Sequence, residues 1–202
     1  MIRIPLLAGG NSNIYRGKLT RTDGRKIRVA IKMIRTSDDG SGQLDDILRR
    51  LKREVDVWSR LKHKNVLPFI GLCNDVGPSP ALWPFLISPF YKFGHIGTYL
   101  KKHPSTNRRD LITGVASGLQ YLHGHNIIHG DIKVQNVLVD KRGAPSICDF
   151  GISKIINRRG FTTLSVGTAP YMAPELLFVV DGLSQEEGVT QELPSPDYNQ
   201  RL

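Results

Sequence analysis

Apolar and polar positions alternate along "NIYRGKL", residues 13–19, and a second strand-like run, "IRVAIKMI", follows at residues 27–34. The polar stretch "TRTDGRK" between them carries an Asp-Gly pair, so the two runs predict an antiparallel hairpin. "RTSDDGSGQ" then reads as a loop. From residue 44 to 61 the period changes to that of a helix. Leu44, Ile47, Leu48, Leu51, Val55 and Trp58 form one stripe, and Asp45 and Asp46 sit in the first turn, each four residues before an arginine. "NVLPFIGLC" and "ALWPFLISPF" predict two further strands, separated by the loop "NDVGPSP".

Beyond residue 94 the texture becomes helical. Leu111, Ile112, Val115, Ala116, Leu119 and Leu122 share one face of a helix predicted over residues 107–123, which Gly114 and Gly118 weaken. The segment "NIIHGDIKVQNVLVD", residues 126–140, is apolar at both ends and polar in the middle, with His129, Asp131, Lys133 and Asn136. A turn "DKRGAP", a short strand "SICDF" and a polar loop to about residue 170 follow. Strands with one helix, then mostly helix, predict an α+β chain of two lobes.

Composition narrows the partners. The 202 residues carry a formal charge of +10, which fits a solvated basic surface or an anionic ligand such as a nucleotide. Two cysteines, Cys73 and Cys148, argue against a disulfide scaffold and suit a reducing, cytoplasmic setting. No secretory leader is expected in "MIRIPLLAGG", and no apolar run has bilayer length. A nucleic-acid-binding reading rests on charge and on "RRLKRE" alone; an ion-paired helix face explains that run better, and no nucleic-acid partner is expected.

Some residues carry chemistry. Lys32 ends the apolar run Val29-Ala30-Ile31, where a lysine could simply face solvent. Glu54, however, falls at the edge of the core-facing helical stripe, where a carboxylate is costly unless paired, and Lys32 is a plausible partner. Gly9 and Gly10 before a strand form either a plain turn or a phosphate-approaching loop. Asp131, Asn136 and Asp149 are common turn residues singly; together they offer oxygens to a hard cation such as Mg²⁺.

In joint order, "VAIK", "HGDIKVQN", "DFG" and "APE" (Ala173, Pro174, Glu175) make the chain resemble the eukaryotic protein kinase family over about residues 5–176. The wording around Trp58 and His63 is most similar to the tyrosine-kinase-like group of serine/threonine kinases. The resemblance implies a bilobal, kinase-like fold with a small antiparallel β-sheet and one helix in the N-lobe, residues 1–88. A partial, mainly helical C-lobe spans residues 89–176, and residues 177–202 are expected to be a disordered tail.

It also implies roles. Asp131 would accept or orient the substrate hydroxyl proton, and Lys133 would neutralise the transferred phosphoryl group. Asn136 and Asp149 would hold Mg²⁺, and Lys32, pinned by Glu54, would contact the ATP phosphates. Gly9 and Gly10 would lie over the phosphates. Ser88 would guard the back of the adenine pocket, Pro89 and Tyr91 would present a backbone carbonyl and N–H, and Ile14, Ala30 and Leu138 would sandwich the ring. Thr168 is expected to bond near Asp131 and Lys133, and His129 to be structural.

The implied activity is transfer of the ATP γ-phosphoryl group to Ser/Thr hydroxyls of proteins. The alternative is a non-catalytic pseudokinase acting as a nucleotide-binding or scaffold module. The pattern departs from the family in three places. Leu7 and Ser12 replace two glycines of the phosphate loop, and Gly130 replaces an arginine that clamps activation-loop phosphate. Family members continue well past the "APE" motif with more helices, so a truncated C-lobe is expected, whose uncovered apolar face on the 111–122 helix invites aggregation or a partner.

Overall fold

The computed structural model describes residues 5–8, 12–35, 43–74, 84–156 and 168–174. A five-stranded antiparallel sheet runs in the order β1-β2-β3-β5-β4. Its strands are β1 (Leu7–Ala8), β2 (Ser12–Thr20), β3 (Lys26–Ile34), β4 (Gly71–Cys73) and β5 (Phe85–Pro89). The predicted hairpin is β2–β3, paired in register from Ser12↔Ile34 to Thr20↔Lys26. Residues directly opposite in antiparallel strands share a face. Ile14 pairs with Lys32, and Ala30 with Ser88, so these four stand on one face of the sheet. Val29, Ile31, Phe85 and Ile87 form a small core on the other face, with Tyr15, Leu19 and Ile27 against it.

Helix α1 (Gln43–Trp58) covers the site-bearing face. Ile47, Leu51 and Trp58 are buried at helical spacing, as the stripe predicts, but Leu44 and Leu48 are 51% and 42% exposed. The helix meets its packing partners Ile34, Leu61, Leu67 and Leu86 from Ile47 onward. Glu54 is also placed differently from expectation. It continues the buried series Ile47-Leu51 at position i+7, in the centre of the stripe rather than at its edge.

The two long strands predicted after α1 are cut short. Only 71–73 and 85–89 join the sheet; residues 81–83 lie outside the described residues. Pro68 has no N–H for a ladder, and the chain before it bonds elsewhere. Leu67 N–H donates to the Ile147 carbonyl at 2.8 Å, and Ile147 N–H to the Asn65 carbonyl at 2.9 Å. Asn65–Leu67 therefore stitches the first lobe to the second.

The second lobe holds α2 (Ile96–Lys102) and α3 (Arg108–Gly124). The sequence pattern did not suggest α2, a seven-residue helix capped by His95, whose ring accepts from Thr98 N–H. Asn107 caps α3 by accepting from Arg109 N–H at 3.0 Å. The glycines of α3 serve close packing. A Cβ on Gly118 would come within 2.9 Å of the Asn65 carbonyl oxygen, and one on Gly114 within 2.5 Å of Pro145. Leu111 and Leu122 are buried, whereas Ile112, assigned to the same face, is 67% exposed and Ala116 is exposed too.

Four short strands complete the described part: β6 (Ile127–Ile128), β7 (Val137–Val139), β8 (Pro145–Ile147) and β9 (Lys154–Ile155). β6 pairs with β9 and β7 with β8. The expected strand "SICDF" ends at Ile147, and Cys148–Phe150 leave the ladder. The expected polar loop after it contains β9 and, at Ala169–Tyr171, a 3₁₀ turn. The larger core joins α1, α3 and β8 through Trp58, Leu61, Val66, Leu122, Ile147 and Phe150. Among the described residues no helix is long and apolar enough to cross a membrane.

Candidate functional site

Lys32 reaches from β3 toward α1. Its Nζ lies 2.6 Å from Glu54 Oε1 and 2.6 Å from Asp149 Oδ1. Burial alone would disfavour the Lys32 ammonium, but the Asp149 and Glu54 charges outweigh it and raise its pKa. Burial pushes Glu54 up, Lys32 pulls it down, and the Asp149 charge adds to the rise. The Lys32 charge holds Asp149 below the usual aspartate value against the opposing effect of burial. Lys32 thus remains an ammonium, fixed by carboxylates from two different elements. The sequence suggested the first partner and missed the second.

Asp149 has φ +70°, in the left-handed region that a non-glycine residue occupies at a cost. Phe150 next to it is fully buried, 5.2 Å from the His129 ring and 6.0 Å from Trp58. The aspartate is therefore held by a phenylalanine locked into the core.

The 126–140 segment delivers the remaining polar groups. His129 is buried, with Nε2 3.0 Å from the Cys148 carbonyl, while Nδ1 accepts the Asp131 N–H at 3.2 Å. An accepting Nδ1 puts the proton on Nε2, and burial lowers the pKa, so the ring is neutral. It is structural, as expected. Asp131 Oδ1 accepts from both the N–H and the hydroxyl of Thr168, at 3.0 and 2.7 Å. Asp131 Oδ2 accepts from Asn136 Nδ2 at 2.9 Å and faces Lys133 Nζ at 2.7 Å. Lys133 also donates to Thr168 Oγ1 at 2.7 Å. Burial opposes ionisation of Asp131, yet the hydrogen bonds from Lys133 and Thr168 prevail and lower its pKa.

Asn136 sits in a 3₁₀ turn, Val134–Asn136, and its amide nitrogen is committed to the backbone carbonyl and carboxylate of Asp131. Its amide oxygen is what remains for a cation. The Asn136 carbonyl accepts from Cys148 N–H at 2.9 Å, which ties this turn to the residue preceding Asp149. The residues present fit Mg²⁺: an amide oxygen and a carboxylate that is 42% exposed, both hard donors. No group of three His, Cys, Asp or Glu side chains gathers among the described residues. A cation at this position would draw its other oxygens from water or phosphate.

The predicted adenine-site residues line the junction of the lobes. Ser88 is buried opposite Ala30, and Pro89 pairs with Val29. The Tyr91 carbonyl accepts from Gly94 N–H at 3.1 Å, and Val139 N–H donates to the Gly94 carbonyl at 2.9 Å. Leu138 meets this connection through a bridge to His95. Ile14 and Ala30, on the sheet's site face, and Leu138 are each half-buried. Gly9 and Gly10 lie outside the described residues, as do Thr162, Thr163, Ser165 and Glu175.

A family model described as "Protein kinase domain" matches residues 7–192. The chain belongs to the protein kinase domain family. Among its relatives, this kinase domain is 33% identical over 165 residues to the serine/threonine-protein kinase STY17 of Arabidopsis thaliana. It is 30% identical over 177 residues to STY46 of the same plant. With the mitogen-activated protein kinase kinase kinase zak-1 of Caenorhabditis elegans it shares 27% over 213 residues. These alignments cover 80%, 85% and 93% of the chain but only 27%, 28% and 26% of the relatives, so the chain spans about a quarter of their length.

Proposed function

We propose that the chain is a serine/threonine protein kinase domain, using ATP with Mg²⁺, with its lobes meeting at Ser88–Pro89. One observation carries the reading. A largely buried lysine is held by Glu54 and Asp149, and the Cys148 N–H bond to the Asn136 carbonyl ties that cluster to the turn beside an aspartate held by Lys133, Asn136 and Thr168. Lys32 would bind the α- and β-phosphates, with Gly9 and Gly10 over them. Ser88, Pro89 and Tyr91 would border the adenine, and Ile14, Ala30 and Leu138 would enclose it. Asn136 and Asp149 would hold Mg²⁺, which when bound neutralises phosphate charge.

In the transfer, the substrate hydroxyl oxygen bonds to the γ-phosphorus as the bond to the β,γ-bridging oxygen breaks. Asp131 orients the hydroxyl and takes its proton. Lys133, two residues on, faces the transferring group, and its charge opposes the negative charge spread over the phosphoryl oxygens. The names of the relatives support Ser/Thr as acceptors. Two cysteines in 202 residues, too few for a disulfide scaffold, support a reducing, cytoplasmic setting.

The test has two arms. ATP should stabilise the folded chain against heat when Mg²⁺ is present, as ligand binding to the native state requires. Phosphate should pass to a generic protein substrate from the wild type and not from Asp131→Asn. Stabilisation by nucleotide without transfer from the wild type would replace the enzyme by a nucleotide-binding pseudokinase.

A further inference from the structure

A cavity borders the connection between the lobes, and neither Lys32 nor Asp149 lines it. It encloses about 490 Å³ and is lined by Arg28, Pro89, Phe90, Tyr91, Lys92, Asp140, Lys141 and Arg142. Both lobes build it. Arg28 lies on β3, Lys92 on the connection, and Lys141 and Arg142 on the turn between β7 and β8. Four cationic side chains therefore face one acid across a single hollow.

That acid is already engaged. Asp140 Oδ1 accepts from Arg142 N–H at 2.8 Å and from Ala144 N–H at 2.9 Å. These bonds, with the Gly143 N–H to Asp140 carbonyl bond at 3.1 Å, fix the turn that presents Lys141 and Arg142. The Arg28 carbonyl accepts the Phe90 N–H at 3.2 Å, which ties β3 to the connection, and the Arg28 side chain is exposed. Lys92 Nζ sits 4.7 Å from the Phe93 ring centroid, an orienting contact that leaves its charge uncompensated by an anion. The wall between the cations includes Pro89, Phe90 and Tyr91, and the Arg16 guanidinium stands 5.9 Å from the Phe90 ring centroid, a further positive charge beside the hollow.

We propose that this hollow docks an acidic segment of a partner protein, with carboxylates on the four cations and an apolar side chain against Phe90. The charge imbalance calls for an anion. The volume and the aromatic wall call for more than an isolated ion, which would leave the apolar part unused. A nucleic acid strand fits less well, because its backbone asks for a charged groove that runs on over several nucleotides. Since cations from both lobes take part, a docked segment would tie the lobes together. This inference does not depend on phosphoryl transfer.

The experiment uses the whole chain and a fluorescein-labelled peptide of glutamates around one phenylalanine, followed by fluorescence anisotropy. A glutamine version, inorganic phosphate at matched ionic strength and a random single-stranded oligonucleotide are the comparisons. The glutamate peptide should bind and the glutamine peptide should not. Lys141→Glu with Arg142→Glu, and separately Arg28→Glu, should each weaken binding about tenfold. All three residues are exposed, so unchanged urea midpoints and unchanged ATP stabilisation should accompany the loss. Equal affinity in both variants would overturn the proposal, and so would an effect of the turn pair without one of Arg28. Full displacement by phosphate would reassign the hollow to a small anion. Tighter binding of the oligonucleotide with the same residue dependence would reassign it to nucleic acid.

Discussion

Lys32 Nζ and Glu54 Oε1 stand 2.6 Å apart, and Glu54 is buried in the middle of the α1 stripe. The pair fixes α1 against the sheet at the place where the phosphates are proposed to bind. Removing Lys32 leaves a carboxylate without its counter-charge in the core. Lys32→Met should therefore lose about 3 kcal/mol of stability at neutral pH. The loss should shrink as the pH falls, because Glu54, whose pKa is already raised by burial, then protonates in the folded state. Lys32→Met combined with Glu54→Gln should recover most of the loss. Urea midpoints of the three proteins check this; a double variant no more stable than Lys32→Met would contradict it.

Gly130 has φ +81°, and a Cβ there would lie 3.3 Å from the Ile152 carbonyl oxygen. A side chain at this position is strained by both facts. Gly130→Ala should cost about 1 kcal/mol. Glycine also stands at position 130 where, by family resemblance, an arginine would clamp a phosphate on the segment holding Thr162, Thr163 and Ser165. Alanine at all three positions should leave transfer to a protein substrate nearly unchanged. Near-complete loss in that triple variant would show that another cation reads the phosphate.

Thr168 gives two of the hydrogen bonds that hold Asp131. Thr168→Val keeps the backbone N–H and deletes the hydroxyl, along with the bond to Lys133. A hydrogen bond to a charged group contributes about 1.5–3 kcal/mol, so kcat should fall about tenfold or more. The Asp131 pKa should also rise toward its ordinary value, moving the acid limb of the rate profile to higher pH. Thr168→Ser should restore both. A fall in rate with an unmoved acid limb would make Thr168 a loop-shaping residue only.

How far the chain could be read in advance follows from the range of each interaction. The β2–β3 hairpin, α1 and α3 are local, and their periodicity placed them within a residue or a few of the observed bounds. The Lys32–Glu54 pair and the placement of Thr168 beside Asp131 and Lys133 were legible through the order and spacing of motifs rather than through any single residue. The sheet order, with β5 inserted between β3 and β4, depends on long-range pairing that alternation does not encode. Seven-residue α2 carries no long stripe and takes its cap from His95, an unusual capping residue. Leu111 and Ile112 show the limit within one helix. Both fit the apolar face, yet only Leu111 meets the core, at 2% exposure against 67%.

That contrast is itself measurable. Leu111→Ala should cost about 2–5 kcal/mol, the range for emptying a packed core site. Ile112→Ser should stay within about 0.5 kcal/mol, as exposed positions do. Urea unfolding of both variants checks the pair. A large loss for Ile112→Ser would mean that its side chain is covered in solution.

The last prediction concerns acid stability and rests on His129. Its ring is buried between Cys148 and Phe150, and burial is the largest influence on its pKa, lowering it. The bond to the Cys148 carbonyl and the charges of Asp149 and Asp131 act in the opposite sense, and Lys32 acts with burial. The net folded-state value lies below that of the unfolded chain. As the pH falls below the unfolded-state value, the unfolded chain takes up a proton that the folded one refuses. Stability is then lost at up to about 1.4 kcal/mol per pH unit until the folded-state value is passed. Below that value no further loss comes from this group. His129→Gln can still accept the Asp131 N–H and donate to the Cys148 carbonyl, but it cannot titrate. Its urea midpoint should be lower than the wild type's at neutral pH and should fall less steeply between pH 6.5 and 5. Parallel pH slopes for the two proteins would show that His129 does not set the acid response.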